Sequence, residues 1–185
     1  YVGGIYSLEW YWAKILHCCR IDRKVRLAAF TWLEHCDWIP FLITGGGDVR
    51  QLKRSVCAAG HKALWHKDYN GVPVDFLSGL DPVLLNFKYN LLENVFSSEV
   101  SAGSLSPFWA DQFGLPPALV VAVGAYDAHM GAVGGEIEPG YLSKVIGTST
   151  CDIMVTPKLE KNILVRGICG QVYGSVLPGM LGLEA

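Results

Sequence analysis

The sequence lacks the cysteine spacings that are typical of a zinc site, and it has no CxxC pair although it contains six cysteines. Two of them, Cys18 and Cys19, are adjacent, which suits neither a disulfide with each other nor ligation of a single metal ion. Free buried thiols are typical of a reducing compartment. The cysteines therefore indicate a cytoplasmic protein without structural disulfides.

Long apolar runs and clusters of basic residues are also missing. The longest apolar run, around 119–126, is far shorter than the roughly 20 residues of a membrane-spanning helix. Trp10, Trp12 and Lys14 interrupt the first apolar segment, so we expect no signal peptide. A net charge of -2 without a Lys/Arg run argues against nucleic acids and anionic membranes as partners.

What the chain does have is apolar residues in quantity. Of its 185 residues 51% are hydrophobic and only 17% are charged, which favours a folded core over disorder. The chain starts at Tyr1 without a methionine and stops directly after a strand-like run rich in glycine and proline. We therefore expect it to be a segment of a longer protein.

Helices are predicted mainly in the first two thirds of the chain. Asp22 is expected to cap a second helix, and Asp37 a third helix over 38–44. Another helix should begin after Ser106, with proline at its first position, and end at Gly114. The first helix would be amphipathic, and its apolar face would contain Ile5, Leu8, Trp12, Ile15, Leu16 and Cys19.

Strands are predicted at several places. The run 54–60 favours a strand, and 61–65 a turn in which Lys62 lies beside small residues. Period-two alternation predicts a hairpin of 141–146 with 151–155, after a polar break at 136–140 that we interpret as a domain boundary. A second hairpin would pair 171–173 with 176–177.

The stretch 119–131 combines an apolar run with one acidic side chain. The run is apolar enough to predict a strand buried on both faces, and Asp127 follows it directly. A carboxylate at the carboxyl end of such a strand points into the crevice where open α/β folds bind ligands. Asp is also a preferred residue at helix N-caps, so position alone leaves both interpretations open.

The turn Gly147-Thr148-Ser149-Thr150 offers backbone N–H groups and hydroxyls to an anion. Together with Asp127 it suits phosphoryl transfer, which needs a base at the attacking hydroxyl and donors around the phosphate. No GxxxxGK[ST], HRD or DFG motif is present, which excludes P-loop and protein-kinase families for this segment.

Several stretches, in the right order along nearly the whole chain, resemble the FGGY carbohydrate kinases. The segment 124–134 is similar to the one that holds the family's catalytic aspartate, and 144–153 to its second phosphate motif. Asp37-Trp38 with Leu42–Gly45 resembles an earlier motif of the family. Further similar stretches are 60–66, 167–172, 176–179 and 182–185.

The resemblance implies a role for each matched residue. Asp127 would be the general base, and Lys62, Asp127 and Glu184 would bind the sugar. Gly147, Thr148 and Ser149 would line the phosphates of ATP, with Mg²⁺ bridging them. The fold implied is α/β and ribonuclease-H-like (actin-like), with 1–138 as part of the sugar-binding domain and 139–185 as the first strands of the nucleotide-binding domain.

The implied reaction is ATP-dependent phosphorylation of the terminal hydroxyl of a ketopentose, with L-ribulose favoured and arabinose catabolism as the setting. The isolated segment, which lacks both ends of the family's pattern, is expected to be inactive. Two alternatives stay open: a non-catalytic sugar-binding fragment, and a metal-dependent hydrolase using Asp127 and His129. The sequence does not decide between a monomer and a homo-oligomer.

Overall fold

The computed structural model describes residues 2–69, 71–86, 92–157 and 164–185. Its helices are α1 (Tyr11–Ile21), α2 (Arg23–Ala28), α3 (His35–Ile43), α4 (Val56–Lys62), α5 (Val74–Leu80), α6 (Pro107–Phe113) and α7 (Asp127–Gly134). Its strands are β1 (Arg54–Ser55), β2 (Val95–Phe96), β3 (Ser101–Ser104), β4 (Val120–Ala122), β5 (Leu142–Ile146), β6 (Thr150–Thr156), β7 (Gly170–Tyr173) and β8 (Leu181–Glu184). Short 3-10 helices span Val49–Gln51, Lys67–Tyr69 and Pro82–Asn86.

The first helix is shorter than the sequence predicts. It begins after Trp10, so Ile5 and Leu8 lie outside it and are 58% and 89% exposed. The apolar spacing begins several residues before the first residue of α1. A periodic pattern therefore does not show where the backbone enters the helical conformation. The helix itself is amphipathic as expected, and it buries Trp12, Ile15 and Cys19.

The predicted caps of the next helices had different outcomes. Asp22 caps α2 as expected, because its carboxylate accepts hydrogen bonds from the backbone N–H groups of Lys24 and Val25. Asp37 does not cap α3, and that prediction is wrong. Asp37 lies in the first turn, is 3% exposed, and accepts a 2.7 Å hydrogen bond from the N–H of Ser55.

The predicted strand 54–60 is mostly a helix. Only two residues pair, in parallel with β2, and α4 begins immediately afterwards. The Ser55 hydroxyl accepts from the N–H of Ala58 and caps α4, while six of its seven residues are buried. A short, wholly buried helix and a buried strand look the same in an apolar run. His61 and Lys62 therefore end a helix instead of forming a turn.

The strand before Asp127 is not buried on both faces as predicted. β4 pairs antiparallel with β3, and these two strands form a sheet of their own among the described residues. Leu119 is 44% exposed and Val120 67% exposed, whereas Val123, just beyond the strand, is buried. With a single neighbouring strand, apolar side chains on β4 have little described structure to cover them.

The last part of the chain is a four-stranded antiparallel sheet in the order β5-β6-β8-β7. The predicted hairpin of β5 and β6 is confirmed, with Ile146 opposite Thr150. The second predicted hairpin is wrong in its second strand, because β8 begins at Leu181 and turns occupy most of the residues between it and β7. Those turns place Glu184, at the end of β8, opposite Gly170 of β7.

Two apolar clusters form the core of the part of the chain that the structure describes. One, around α1 and α4, contains Val2, Trp12, Ile15, Cys19, Ala59, Leu64, Leu77, Leu84 and Leu92. The other lies between α7 and the four-stranded sheet and contains Ala132, Ile137, Ile153, Val155 and Val176. Among the residues that the structure describes, no helix is both long enough and apolar enough to cross a membrane.

The Gly124 backbone packs directly on α3 and gives a test of this architecture. A Cβ at position 124 would overlap the carbonyl oxygen of Cys36, and backbone cannot rotate away as a side chain can. We expect Gly124→Ala to lower the free energy of unfolding by about 1–3 kcal/mol, the usual cost of overpacking. Urea unfolding of the purified protein measures it.

Gly79→Ala is the matched control. Gly79 lies inside α5, and a Cβ there would meet open space. Alanine is the better helix former, so this variant should gain about 0.5–1 kcal/mol. An unchanged stability for Gly124→Ala would contradict the close contact between 124 and α3.

Candidate sugar and phosphate site

A cavity of about 600 Å³ lies between α1, the start of α7 and the ends of β6 and β8. Side chains that are distant in sequence meet in it because three elements end there: α4 ends at Lys62, α7 begins at Asp127, and β8 ends at Glu184. The charged residues in its lining are Glu9, Lys14, Glu34, Lys62, Asp127 and Glu184.

Lys62 and Glu184 form a largely buried ion pair on one wall. The Lys62 Nζ lies 2.7 Å from Glu184 Oε1, with side chains 17% and 9% exposed. The ammonium group also lies 4.6 Å above the Trp10 ring and 5.8 Å from that of Tyr126. Aromatic faces stabilise a partly desolvated cation and fix its position.

Asp127 is the first residue of α7, after the N-cap residue Tyr126. Its Oδ1 accepts a 2.8 Å hydrogen bond from the N–H of Ala128, and its side chain is exposed in the cavity. The position next to the cap favours a carboxylate, because the helix N-terminus is electropositive. Asp127 thus both belongs to the helix start and faces the cavity.

The glycine- and hydroxyl-rich turn joins β5 to β6, as the sequence predicts. Gly147 N–H donates to the Ser149 carbonyl oxygen at 2.9 Å, and Thr148 lies at the tip between them. All three residues are exposed, and Ser149 lines the same cavity as Asp127. Thr150 already belongs to β6 and pairs with Ile146.

Two buried histidines lie behind Glu184, and the sequence did not single them out together. His61 Nδ1 lies 3.3 Å from Glu184 Oε2, and His129 Nε2 lies 3.9 Å from the same oxygen. The two rings are 4.7 Å apart. His61 precedes Lys62 in α4, but the folded contact with His129 spans too much sequence for a local pattern to show.

The arrangement suggested for a metal hydrolase does not exist. It required Asp127 and His129 to alternate along an extended backbone, whereas both lie in α7. Asp127 is exposed in the cavity, and His129 is fully buried. The two side chains therefore do not form one ligand set.

Burial dominates the electrostatics around Glu184. It holds the pKa of His61 well below the ordinary value, with further lowering by His129 and Lys62. Burial also lowers the pKa of His129, against the opposing charge of Glu184. Burial followed by the Glu184 charge raises the pKa of the Cys151 thiol to about 11. Both rings are thus neutral imidazoles, and Cys151 is a thiol, at neutral pH.

Cys151 reports the charge of Glu184, since its Sγ lies 3.7 Å from Glu184 Oε1. We expect Glu184→Gln to lower the pKa of Cys151 and to speed its alkylation by iodoacetamide at pH 8 by roughly threefold or more. The reason is that only the thiolate reacts, and one pKa unit changes its amount about tenfold. Mass spectrometry of the Cys151 peptide measures the rate. Cys18 in α1 is the internal control, and an equal rise at both cysteines would point to loosened structure instead.

No family model matches the chain, but individual proteins do. It is 46% identical to the ribulokinase of Vibrio parahaemolyticus and 37% identical to that of Shouchella clausii, over 100% and 99% of its length. It spans about a third of these relatives, 33% and 32%. This similarity covers all the residues discussed above.

Solved structures show the same fold. The xylulose kinase of Rhodospirillum rubrum superposes with a TM-score of 0.75 at 19% identity, over 97% of this chain and 34% of that one. The gluconate kinase of Lactobacillus acidophilus gives 0.65 at 15% identity, over 99% and 35%. The predicted α/β, actin-like fold is thereby confirmed. Along its whole length the chain is similar to about a third of the length of the ribulokinases, and it has the fold of the matching segment of these sugar kinases.

Proposed function

We propose that this chain is part of an ATP-dependent kinase that phosphorylates the terminal hydroxyl of a ketopentose, converting L-ribulose to L-ribulose 5-phosphate in arabinose catabolism. The observation that supports this best is the meeting of Lys62, Asp127, Glu184 and Ser149 around one cavity. The similarity to ribulokinases supports the substrate class. A cytoplasmic location agrees with such a role.

Asp127 is the proposed general base. Its exposed carboxylate can accept the proton of the sugar's terminal hydroxyl as that oxygen attacks the γ-phosphate. The start of α7 holds the Asp127 backbone, and its hydrogen bond from Ala128 occupies one carboxylate oxygen, Oδ1. The other oxygen is left for the hydroxyl. Proton acceptance by a positioned carboxylate strengthens the nucleophile without requiring a covalent intermediate.

Lys62 and Glu184 are the proposed sugar ligands. A charged donor and a charged acceptor side by side can bind neighbouring hydroxyls of a polyol, one accepting and one donating. Their mutual contact at 2.7 Å keeps both charges compensated before the sugar enters. The Trp10 ring against Lys62 adds an apolar wall for the C–H side of the substrate.

The turn 147–149 is the proposed phosphate site. Its exposed N–H and hydroxyl groups are donors that suit the phosphates of ATP. Mg²⁺, when bound with ATP, would neutralise phosphate charge. The Ser149 hydroxyl supplies an oxygen ligand of the kind that this hard cation prefers, and it lines the cavity.

We further propose 1–138 as part of the sugar domain and 139–185 as the start of the nucleotide domain. Asp127 and the phosphate turn then belong to different domains, and closure would bring base and phosphate together while excluding water. The 185 residues alone should show no turnover, since they span only about a third of the length of the ribulokinases that they match.

The base assignment is tested in the full-length protein by Asp127→Asn. We expect kcat with L-ribulose to fall by about 10²–10⁴-fold, because the amide cannot accept the proton. Sugar affinity should change little, because Asn keeps the shape and much of the hydrogen bonding. ADP release measures turnover, and isothermal calorimetry measures sugar binding.

Asp111→Asn is the control, because Asp111 is an exposed aspartate of α6. It should leave turnover unchanged. If Asp127→Asn kept full activity, Asp127 would serve only the start of α7, and the proposed mechanism would lose its base.

The sugar ligands are tested by Lys62→Met, assayed with L-ribulose, D-ribulose, D-xylulose and glycerol. Hydrogen bonds to charged groups are worth about 1.5–3 kcal/mol. We therefore expect KM for L-ribulose to rise by roughly 10–100-fold, with a smaller loss in kcat. Lys67→Met removes an exposed lysine five positions later and should have no effect. An unchanged KM would place the sugar elsewhere.

A further inference from the structure

Four buried polar atoms without hydrogen-bond partners lie within one small cluster. They are His61 Nδ1, both ring nitrogens of His129, and Glu184 Oε2. His61 and His129 are 0% exposed, and Glu184 is 7% exposed. Leaving such an atom unpaired costs about 1–3 kcal/mol, so a ligand that pairs with the His61–His129–Glu184 cluster would stabilise it.

The hydrogen-bond partners of His61 favour one of its two neutral tautomers. The Ser175 hydroxyl donates its proton to the Val172 carbonyl oxygen at 3.0 Å. It can then only accept from His61 Nε2, which lies 3.1 Å away. The neutral ring therefore directs the lone pair of Nδ1 toward Glu184 Oε2 at 3.3 Å. Two acceptors face each other there, and a cation between them would remove the repulsion.

The spacing suits a tetrahedral metal ion. One ligand atom from each of the three residues lies within 4.8 Å of the other two. With metal–ligand bonds of about 2.0–2.1 Å, neighbouring ligands of tetrahedral zinc lie roughly 3.4 Å apart. The 3.3 Å and 3.9 Å separations of Glu184 Oε2 from the two imidazoles are near that value, and the 4.8 Å limit on the third separation means that the two rings would move closer together on binding.

We propose that His61, His129 and Glu184 form a binding site for one divalent transition-metal ion of the zinc class. Two imidazoles and a carboxylate favour such an ion over Mg²⁺, which prefers oxygen ligands. This site is distinct from the Mg²⁺ that would accompany ATP at the exposed turn 147–149.

Charge and access agree with the proposal. His129 and Glu184 line the cavity, so an ion can enter from it. Of the described residues, four carboxylates and two ammonium groups line that cavity, an excess of two negative charges that a divalent ion offsets. The ion would use Glu184 Oε2, while Lys62 contacts Oε1. Because Glu184 is also a proposed sugar ligand, ion and sugar should weaken each other's binding, and this last step alone rests on the proposed function.

The test uses metal-free full-length protein without nucleotide or sugar. Titration with Co²⁺, followed by its visible spectrum, should show one tetrahedral ion per chain, and Zn²⁺ should displace it. His129→Asn should weaken binding at least tenfold, since it removes one ligand of three. His35→Asn, at an exposed histidine of α3, should leave binding unchanged.

Pulsed electron paramagnetic resonance of Cu²⁺ in the wild-type protein is independent of any variant's folding. It should detect two coordinated imidazoles. Absence of micromolar binding, thiolate-to-cobalt absorption showing cysteine ligands, or a single imidazole would each overturn the proposal. Metal binding without kinase activity would leave this site standing while refuting the proposed function.

Discussion

The contact between Lys62 and Glu184 is the interaction on which the arrangement of the cavity depends. The two residues are 122 positions apart, and their 2.7 Å ion pair joins the end of a buried helix to the end of the last strand. Buried charges are costly unless they are paired. Burying Lys62 therefore requires a carboxylate beside it, and Glu184 supplies that carboxylate. The helix α4, which ends at Lys62, packs closely against β7, the strand next to β8.

The helix and strand ends that meet at the cavity differ in how far apart they lie along the sequence. Asp127 begins α7, and the turn 147–149 follows only after the strand β5. The proposed base and the proposed phosphate donors are therefore close along the chain, whereas the proposed sugar ligands are far apart along it. Local patterns singled out Asp127 and the turn, whereas Lys62 and Glu184 were assigned as sugar ligands only through resemblance to a family.

The misassigned elements share a physical cause. The apolar run before Lys62 fits a buried strand and a short buried helix equally well, and the Ser55 cap decides for the helix. Aspartate is a preferred residue type at helix N-caps, but Asp37 is held in the interior by a hydrogen bond from Ser55, which is distant in sequence. The His61–His129–Glu184 cluster depends on contacts across three elements. Such contacts leave no local trace, whereas the helix limits at Ser106 and Gly114 are local and were predicted correctly.

Gly60 has a consequence for the charges two residues away. A Cβ there would overlap the Val172 side chain, so α4 and β7 approach each other only because position 60 has no side chain. Gly170 plays the matching part against the ring of His61. Any larger residue at either position would act as a spacer between helix and sheet and would draw Lys62 away from Glu184. The distance between Lys62 and Glu184 thus depends on two glycines that contribute no charge of their own.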